Sequence, residues 1–360
     1  MWIVKTKTGK YKYVERYTDP NGKKKYVSVT LAGNKRQDKR YAGDFLRSRV
    51  RAFLDEAEEQ STLTLKTLSE AYYAFQQREF KEQTATANKS KVATIIKLLG
   101  EDKLVSDLTA PYVRNKLWAD RASTYNERLK HYKAMLRFAY REELVDDISH
   151  IDRLQRRKDD PVRVKVQDKY LEREELKTLL DGMKETHWRL LTEFLALSGL
   201  RVGEAIALLK SDVDMANRNI HVQRTYSKIL DKITDSAKTE MSVRDVHIQP
   251  ELYDCIERIY DYLKDFDSPY FFGWDGTYIS YDAYNKYMRE NTERILGRRL
   301  TAHALRHTHV ALLAEAGVQL DAISRRLGHA DSSMTRDVYF HVTKKLQQTE
   351  NEQLDAIKLL

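Results

Sequence analysis

The chain has 360 residues, which is more than one hydrophobic core usually supports, so two or three domains are expected. Hydrophobic residues make up 41% and charged residues 32%, a balance typical of globular proteins, and no apolar run is long enough to span a bilayer. Residues 1–10 contain no signal-peptide pattern, so a cytoplasmic protein without a membrane role is expected. The single cysteine, Cys255, excludes an intramolecular disulfide and a cysteine-cluster zinc site, and we expect it to be an unreactive core residue.

The net charge of +9 suggests a polyanionic partner, although other basic proteins, such as surface-active ones, share this property. Its distribution is more informative. Residues 1–50 contain 14 lysines and arginines against four acidic residues, whereas residues 51–360 sum to −1. The basic excess therefore belongs to one terminal segment, for which nucleic-acid contact is the favoured interpretation and a solvated basic face the alternative.

Residues 2–31 have the pattern of a small antiparallel sheet. Val27, Val29 and Leu31 alternate with polar neighbours, and residues 19–22 end in Asn-Gly, which favours a hairpin turn. Beyond them, from residue 36 to about residue 59, apolar side chains recur at helical spacing. The sequence therefore predicts a three-stranded sheet with one helix packed on it.

Tyrosines lie among the lysines of this predicted sheet, as expected for strands that lie in a DNA groove. Each tyrosine taken singly is explained equally well as an ordinary sheet residue. The candidate DNA-contacting lysines are Lys10, Lys12, Lys23, Lys24 and Lys25.

Residues 61–158 have the pattern of a helical bundle, with apolar side chains at helical spacing in several segments, and we predict four helices. One helix begins with Thr109 as N-cap and Pro111 in the first turn. The following residues, 159–168, are polar and include Pro161, so they are predicted to form an extended linker at a domain boundary.

The rest of the chain, residues 169–345, alternates helix signals with one strand region. An apolar helix over residues 190–197 stops at Gly199, and β-branched side chains over residues 219–226 and 242–248 predict strands. The fold class predicted for the whole chain is multidomain, mainly α with small β parts, and its C-terminal domain is mixed α/β but mostly helical.

His303 and Arg306 are the strongest local signal for chemistry. On a helix, residues i and i+3 project from the same face, so the imidazole and the guanidinium would converge on one anion. Taken alone the pair is a common surface feature. Its context is more specific, because a Ser-Gly-Leu-Arg-Val-Gly-Glu segment (198–204), a Lys-Thr pair (238–239) and a Leu-Gly-His segment (327–329) flank it in order.

This ordered set resembles the tyrosine recombinase family, which includes phage and mobile-element integrases. The matching positions, spread over 139 residues, are Arg201, Lys238, His303, Arg306, His329 and Tyr339. The resemblance implies a catalytic domain over residues 169–345. The layout ahead of it resembles integrases that have an arm-type DNA-binding domain (1–60) before a helical core-binding domain (61–158). The tail, residues 346–360, is helix-prone and is expected to pack on a neighbouring protomer.

The resemblance implies that Tyr339 attacks DNA and forms a 3′-phosphotyrosine link. Arg201 and Arg306 would hold the nonbridging phosphate oxygens, because two guanidiniums offer paired and permanently charged donors. Lys238 would protonate the departing 5′ oxygen as general acid. His303 would accept the phenolic proton or steady the phosphate, and His329 would donate a further hydrogen bond to the phosphate, with their division of labour open. A supporting residue, Glu204, would orient a cation.

The expected partner is double-stranded DNA, at core and arm sites, bound by a tetramer inside the bacterial host, with accessory DNA-bending and directionality factors. Neither metal nor ATP is expected, because cationic side chains stabilise the charge and the protein–DNA ester conserves the bond energy. Two alternatives stay open at this stage. One is a topoisomerase of type IB, which uses a similar residue set, and the other is a catalytically inactive DNA-binding protein.

Overall fold

The structure, a computed structural model, describes residues 1–18, 24–158, 166–235, 243–273, 276–328 and 333–357. The chain divides into two compact units, residues 1–161 and 162–360.

The first unit begins with three antiparallel strands, β1 (Trp2–Lys5), β2 (Tyr11–Thr18) and β3 (Lys24–Leu31), in the order β1-β2-β3. Helix α1 (Arg36–Thr62) contacts β2 and β3. The predicted three-stranded sheet with a packed helix is therefore confirmed. The predicted hairpin turn at residues 19–22 lies outside the described residues.

A small core joins this sheet to α1. Tyr13, Val27, Ala42 and Leu46 are buried there, and the Tyr13 hydroxyl donates a hydrogen bond to the carbonyl of Gly33 (3.1 Å). Because successive side chains of a strand point to opposite faces, burial of Tyr13 and Val27 assigns one sheet face to α1. The opposite face is available to solvent.

The same unit continues with four α-helices in its described part, the number that the apolar spacing predicts. They are α2 (Leu65–Glu79), α3 (Glu82–Leu99), α4 (Ala110–Leu117) and α5 (Ala122–Arg141). They enclose a core of their own, in which Leu68, Ile95 and Tyr132 are fully covered. Thr109 caps α4 as predicted, because its hydroxyl accepts a hydrogen bond from the Tyr112 amide.

The second unit is mostly helical and contains short strands in its middle. Its helices are α6 (Arg173–Gly182), α7 (Thr186–Ser198), α8 (Val202–Ile206), α9 (Pro250–Leu263), α10 (Tyr281–Leu296), α11 (His303–Glu315), α12 (Leu320–Leu327) and α13 (Ser333–Asp355). Its strands are β4 (Val213–Asp214), β5 (Asn219–Val222), β6 (Arg224–Ser227), β7 (Lys232–Asp235) and β8 (Arg244–His247). β4, β5 and β8 form one antiparallel sheet, and β6 pairs with β7.

Helix α11 occupies the centre of this unit. Its N-terminal half supplies Ala304 and Leu305 to the larger hydrophobic cluster, and its C-terminal half supplies Val310 and Ala311 to a second cluster shared with α12 and α13. Burial on several sides fixes the rotation of the helix, since each cluster holds a different face. The candidate residues at the start of α11 are therefore carried by a rigid element.

Cys255 is fully buried on α9, where burial raises the pKa of its thiol, so it is a core residue as the sequence predicts. Across the described ranges, the helices lack the length and apolar character needed to cross a membrane.

Gly199→Ala is expected to destabilise the second unit more than Gly297→Ala. Both glycines end a helix at φ +71°, so either alanine meets the same backbone strain, about 1 kcal/mol. At Gly199 alone, a Cβ would also clash with Cδ2 of His309 and lie 2.9 Å from Cδ2 of Leu327. That overpacking adds about 1–3 kcal/mol. Urea unfolding of the two variants measures the difference, and equal losses would contradict the close approach.

Candidate active site

Arg201 follows the left-handed turn at Gly199 and precedes the first residue of α8. Its guanidinium donates to Oε1 of Glu204 (2.8 Å), and its backbone amide donates to Oε2 of the same carboxylate (2.9 Å). Glu204 thus folds back on the start of its own helix and holds Arg201 by both main chain and side chain. The Arg201 side chain is 35% exposed, so its guanidinium is accessible to a ligand.

The carboxylate of Glu204 is shared with a second arginine. Arg244, on β8, donates from Nη2 to Oε2 (2.9 Å) and from Nη1 to Oε1 (3.2 Å). Burial by itself would raise the pKa of Glu204, but hydrogen bonding to Arg244 and the charges of Arg244, Arg201 and Arg306 outweigh it and lower the pKa to about 2. Glu204 is therefore ionised at neutral pH despite its burial.

Arg306 lies on α11 with 3% of its surface exposed. Nη1 donates to the carbonyl of Gly199 (2.7 Å) and Nη2 to the carbonyl of Leu327 (2.6 Å). Burial first, and then the charge of Arg201, lower its pKa to about 9, so the guanidinium stays charged at neutral pH. Arg306 therefore joins the segment before Arg201 to the segment before His329.

His303 stands one turn before Arg306 on α11, as the spacing predicts, and is exposed at the helix start. Its ring lies 5.1 Å from the ring of His307, nearly perpendicular to it. Partial desolvation, followed by the charges of Arg306 and Arg201, lowers the pKa of His303 below its ordinary value of 6.5. This shift favours the neutral imidazole, which can accept a proton.

Tyr339 lies on α13, at the edge of the cluster that Val310, Val338 and Val342 form. Its ring is partly buried and stands edge-on to that of Phe340, with centroids 5.9 Å apart. The structure brings Arg201, His303 and Arg306 near one another, and it places Tyr339 on α13, which packs against α11.

Two of the six predicted catalytic residues, Lys238 and His329, lie outside the described residues, and so does the candidate DNA-contacting Lys23. Their flanks are described. Lys238 belongs to the connection between β7 and β8, and His329 follows Gly328, whose φ of +67° ends α12. Their catalytic roles stay predictions.

Three further residues, to which sequence reasoning assigned no role, are linked to the predicted residue Glu204 by hydrogen bonds: Arg244, Arg326 and His309. The Arg244 Nε donates to the carbonyl of Arg326 (2.8 Å), and the Arg326 Nε donates to Nε2 of His309 (3.0 Å). A signal existed for Arg244. Alternation along β8 puts it on the same face as the buried Val246, and an arginine on a core-facing position requires a buried anion.

His309 is buried in the neutral form. Its Nδ1 bonds the carbonyl of Ala196 (2.8 Å), and its Nε2 accepts from Arg326, so an added proton on Nε2 would face a guanidinium. Burial, and then the charge of Arg326, lower its pKa from 6.5 to about 3. Below pH 6.5 the unfolded chain therefore binds a proton that the folded chain does not.

The free energy of unfolding is accordingly expected to fall as the pH decreases from 6.5 to 5, by up to about 1.4 kcal/mol per pH unit from this residue. His309→Gln should flatten that dependence, although it lowers stability at pH 8. The control is His247→Gln, at an exposed position of β8, which should keep the wild-type slope. Urea unfolding at pH 8, 6.5 and 5 measures all three, and an unchanged slope in His309→Gln would contradict the assignment.

Comparison with known proteins identifies the chain. Residues 169–345 match the phage integrase family. This chain belongs to the tyrosine recombinases of the phage integrase family. The probable integrase of prophage ps2 from Lactococcus lactis is 27% identical over 378 aligned residues, covering 97% of this chain and 98% of that protein. The integrase of Staphylococcus phage L54a is 31% identical over 179 residues, which cover 46% of this chain and 51% of its own length.

Solved structures of similar fold include two integrases bound to DNA. The Tn1549 transposon integrase in complex with transposon right end DNA superimposes with a TM-score of 0.60 at 21% identity, covering 81% of this chain and 100% of that one. The lambda integrase dimer bound to a core site gives a TM-score of 0.60 at 17% identity, covering 94% of each chain. The predicted fold class, mainly helical with a small N-terminal sheet, is therefore confirmed.

Proposed function

We propose that this tyrosine recombinase is a site-specific integrase that cleaves and rejoins DNA through a 3′-phosphotyrosine intermediate, and that it integrates and excises a phage or mobile element. The observation that carries the proposal is the convergence of Arg201, Arg306 and His303 within a domain of the phage integrase family: Arg306 bonds the carbonyl of Gly199, two residues before Arg201, and His303 stands one turn before Arg306 on α11. Relatives from a prophage and a phage, which are named integrases, support the same conclusion.

Cleavage begins with attack of the Tyr339 hydroxyl oxygen on the scissile phosphorus. The Tyr339 O–P bond forms as the bond to the 5′ oxygen breaks, and His303 accepts the phenolic proton. Lys238 supplies a proton to the departing 5′ oxygen, which leaves as a hydroxyl. No water enters the product, so the phosphate ester is conserved. Attack by the 5′ hydroxyl of another strand reverses the same steps and releases Tyr339.

Charge stabilisation in this reaction falls to the arginines. The pentavalent transition state carries extra negative charge on its nonbridging oxygens, and preorganised cations at that position lower the barrier most. Arg201 provides the exposed guanidinium, whereas Arg306 is held from behind by two backbone carbonyls. Three of the five N–H groups of a guanidinium remain for other acceptors when two are used in this way. His329 would add a hydrogen bond to the phosphate.

A nicked suicide substrate tests this function. It loses its short 5′-hydroxyl fragment after cleavage, so religation fails and the covalent protein–DNA adduct accumulates. Incubation of the full chain with such a duplex, carrying the site at which its element joins the host DNA, is expected to give an adduct that survives denaturant. Peptide mapping should locate the phosphodiester on Tyr339. A different attached residue would contradict the proposal.

The N-terminal sheet is proposed as the arm-site contact, through the face that α1 leaves open. Strand register places Lys12, Arg16 and Lys24 on that face, together with the exposed Trp2 and Tyr26. The two aromatic rings contact each other edge-on, with centroids 5.8 Å apart. Cations interleaved with exposed aromatic rings on a flat sheet suit the phosphates and groove floor of a duplex.

Adjacent lysines test this face, because Lys24 and Lys25 point to opposite sides of β3. The Lys12→Ala/Lys24→Ala variant is expected to weaken arm-duplex binding and to reduce the slope of log affinity against log salt by about 1 per lost phosphate contact. Lys25, although a candidate DNA-contacting lysine from the sequence, lies on the sheet face that α1 covers, so Lys25→Ala serves as the control and should retain the wild-type slope. Titrations at several salt concentrations measure both. If Lys25→Ala lowered the affinity and the salt slope as much as the double variant did, this face would be excluded as the arm-site contact.

Assembly on DNA is proposed to be tetrameric, with the end of α13 docking on a neighbouring protomer. Lambda integrase, which forms a tetramer bound to a Holliday junction, has a similar fold (TM-score 0.60, 18% identity). The exposed apolar side chains Leu346, Leu354 and Ile357 at the end of the chain are consistent with a docking segment. DNA binding would place the protein with the nucleoid of a bacterial host, together with accessory bending and directionality factors.

A further inference from the structure

Glu204 is a buried carboxylate between two guanidiniums that differ in exposure. The Arg201 side chain is 35% exposed, whereas that of Arg244 is 7% exposed and approaches the carboxylate from the protein interior. Arg201 uses one side-chain nitrogen on Glu204, but Arg244 uses two, one on each oxygen. Arg244 is therefore a bidentate partner of the carboxylate, through both Nη atoms, whereas the Arg201 side chain makes one bond to it.

The charges of this group explain why two arginines are needed. A carboxylate with Arg201 as its sole partner would cancel the positive charge that a phosphate requires. With Arg244 present, the three groups sum to +1, and Arg244 is the partner enclosed by protein. Charge–charge interactions are strong in a buried site of low dielectric constant. The enclosed Arg244 therefore compensates the charge of Glu204 effectively.

Arg244 also has a fixed position of its own. Its Nε donates to the carbonyl of Arg326 at the end of α12, and Arg326 in turn donates to the carbonyl of His247 (2.8 Å) and to Oε1 of Gln249 (2.7 Å). These bonds attach β8 to α12 behind Glu204. The orientation of Glu204, and through it that of Arg201, therefore depends on Arg244.

We propose that Arg244 is a positioning residue for Arg201: it supplies the counter-charge of Glu204 and fixes that carboxylate, so that Glu204 does not offset the positive charge of Arg201 and the Arg201 guanidinium stays aimed at the scissile phosphate. This inference rests on the proposed role of Arg201 as a phosphate ligand. Arg244 itself does not contact the DNA.

Single-turnover cleavage of two duplexes by the full chain tests the proposal. One duplex has an ordinary scissile phosphodiester, and the other has a methylphosphonate there, in which a neutral methyl group replaces a charged nonbridging oxygen. Arg244→Gln is expected to slow phosphodiester cleavage about 10- to 100-fold. It should slow methylphosphonate cleavage several-fold less, because less positive charge is required. A purely structural role would reduce both rates by the same factor, and that result would overturn the proposal.

A double variant covers the case in which Arg244→Gln destabilises the chain by leaving Glu204 with too few partners. Glu204→Gln/Arg244→Gln removes the carboxylate anion together with its counter-charge, so that no neighbouring negative charge offsets the positive charge of Arg201. It should cleave the phosphodiester about tenfold faster than Arg244→Gln, with melting temperature and DNA affinity measured in parallel. A double variant that folds and binds DNA but cleaves no faster would overturn the proposal.

Arg201→Gln separates this inference from the proposed function. If Arg201→Gln lowers the cleavage rate of both duplexes by the same factor, the proposed role of Arg201 as a phosphate ligand is wrong and the proposed mechanism fails with it. If Arg201→Gln discriminates between the duplexes and Arg244→Gln does not, the mechanism stands and the positioning role of Arg244 alone is overturned.

Discussion

Tyr339→Phe is expected to abolish the covalent protein–DNA adduct while leaving folding and DNA binding unchanged. The substitution removes one oxygen atom and retains the ring that packs beside Val338 and Val342, so the core contacts persist. Without a nucleophile that remains attached, the 3′ phosphate has no partner in the protein. Loss of a catalytic nucleophile lowers the rate by about 10⁴- to 10⁶-fold in comparable covalent enzymes.

The measurement is adduct formation on the suicide substrate, resolved on a denaturing gel, with binding followed by gel shift. Tyr170→Phe is the matched control, because Tyr170 is buried in the same cluster and its loss of a hydroxyl should leave adduct yield unaffected. An adduct formed by Tyr339→Phe at the wild-type rate would reassign the nucleophile.

Arg306→Lys has the second largest expected effect, and it acts on both stability and rate. A lysine keeps the charge but offers one ammonium instead of a planar fork, so it cannot bond the carbonyls of Gly199 and Leu327 in the same geometry. A buried carbonyl without a donor costs about 1–3 kcal/mol. Cleavage should slow by about 10²- to 10³-fold, the usual effect of losing one preorganised donor to a developing negative charge.

Arg298→Lys is the appropriate comparison. Arg298 also donates to a backbone carbonyl, that of Tyr170 (3.0 Å), and to Glu175 (2.6 Å), but it lies outside the group around Arg201. It should lower stability without slowing single-turnover cleavage at a temperature where both variants are folded. If Arg298→Lys slowed cleavage as much as Arg306→Lys did, the rate loss would reflect damage to the fold instead of the loss of a phosphate ligand.

The sequence predicts the elements that depend on local patterns. Alternation in residues 2–31 and helical spacing from residue 36 give the N-terminal sheet and its helix, and the Thr109 cap follows from its own side chain. The i, i+3 spacing places His303 and Arg306 on one face of α11. In each case the deciding contact lies within a few residues along the chain.

What the sequence could not predict depends on distant contacts. The bond between Arg244 and Glu204 spans 40 residues, and that between His309 and the carbonyl of Ala196 spans 113. No local pattern specifies which buried anion an arginine will meet, so Arg244 and Arg326 were without an assigned partner. The tyrosine recombinase family was nonetheless evident, because its motifs are ordered along the chain even though the side chains meet only after folding.

The two backbone carbonyls bonded by Arg306 have a consequence for the timing of activity. One lies 107 residues before it in the chain and the other 21 residues after it, in α12. A ribosome must therefore release α12 before Arg306 has both of its partners, and Tyr339 emerges later still. Because long-range closure comes late in folding, the first unit, which we propose contacts DNA, is synthesised before the chain is able to break a strand.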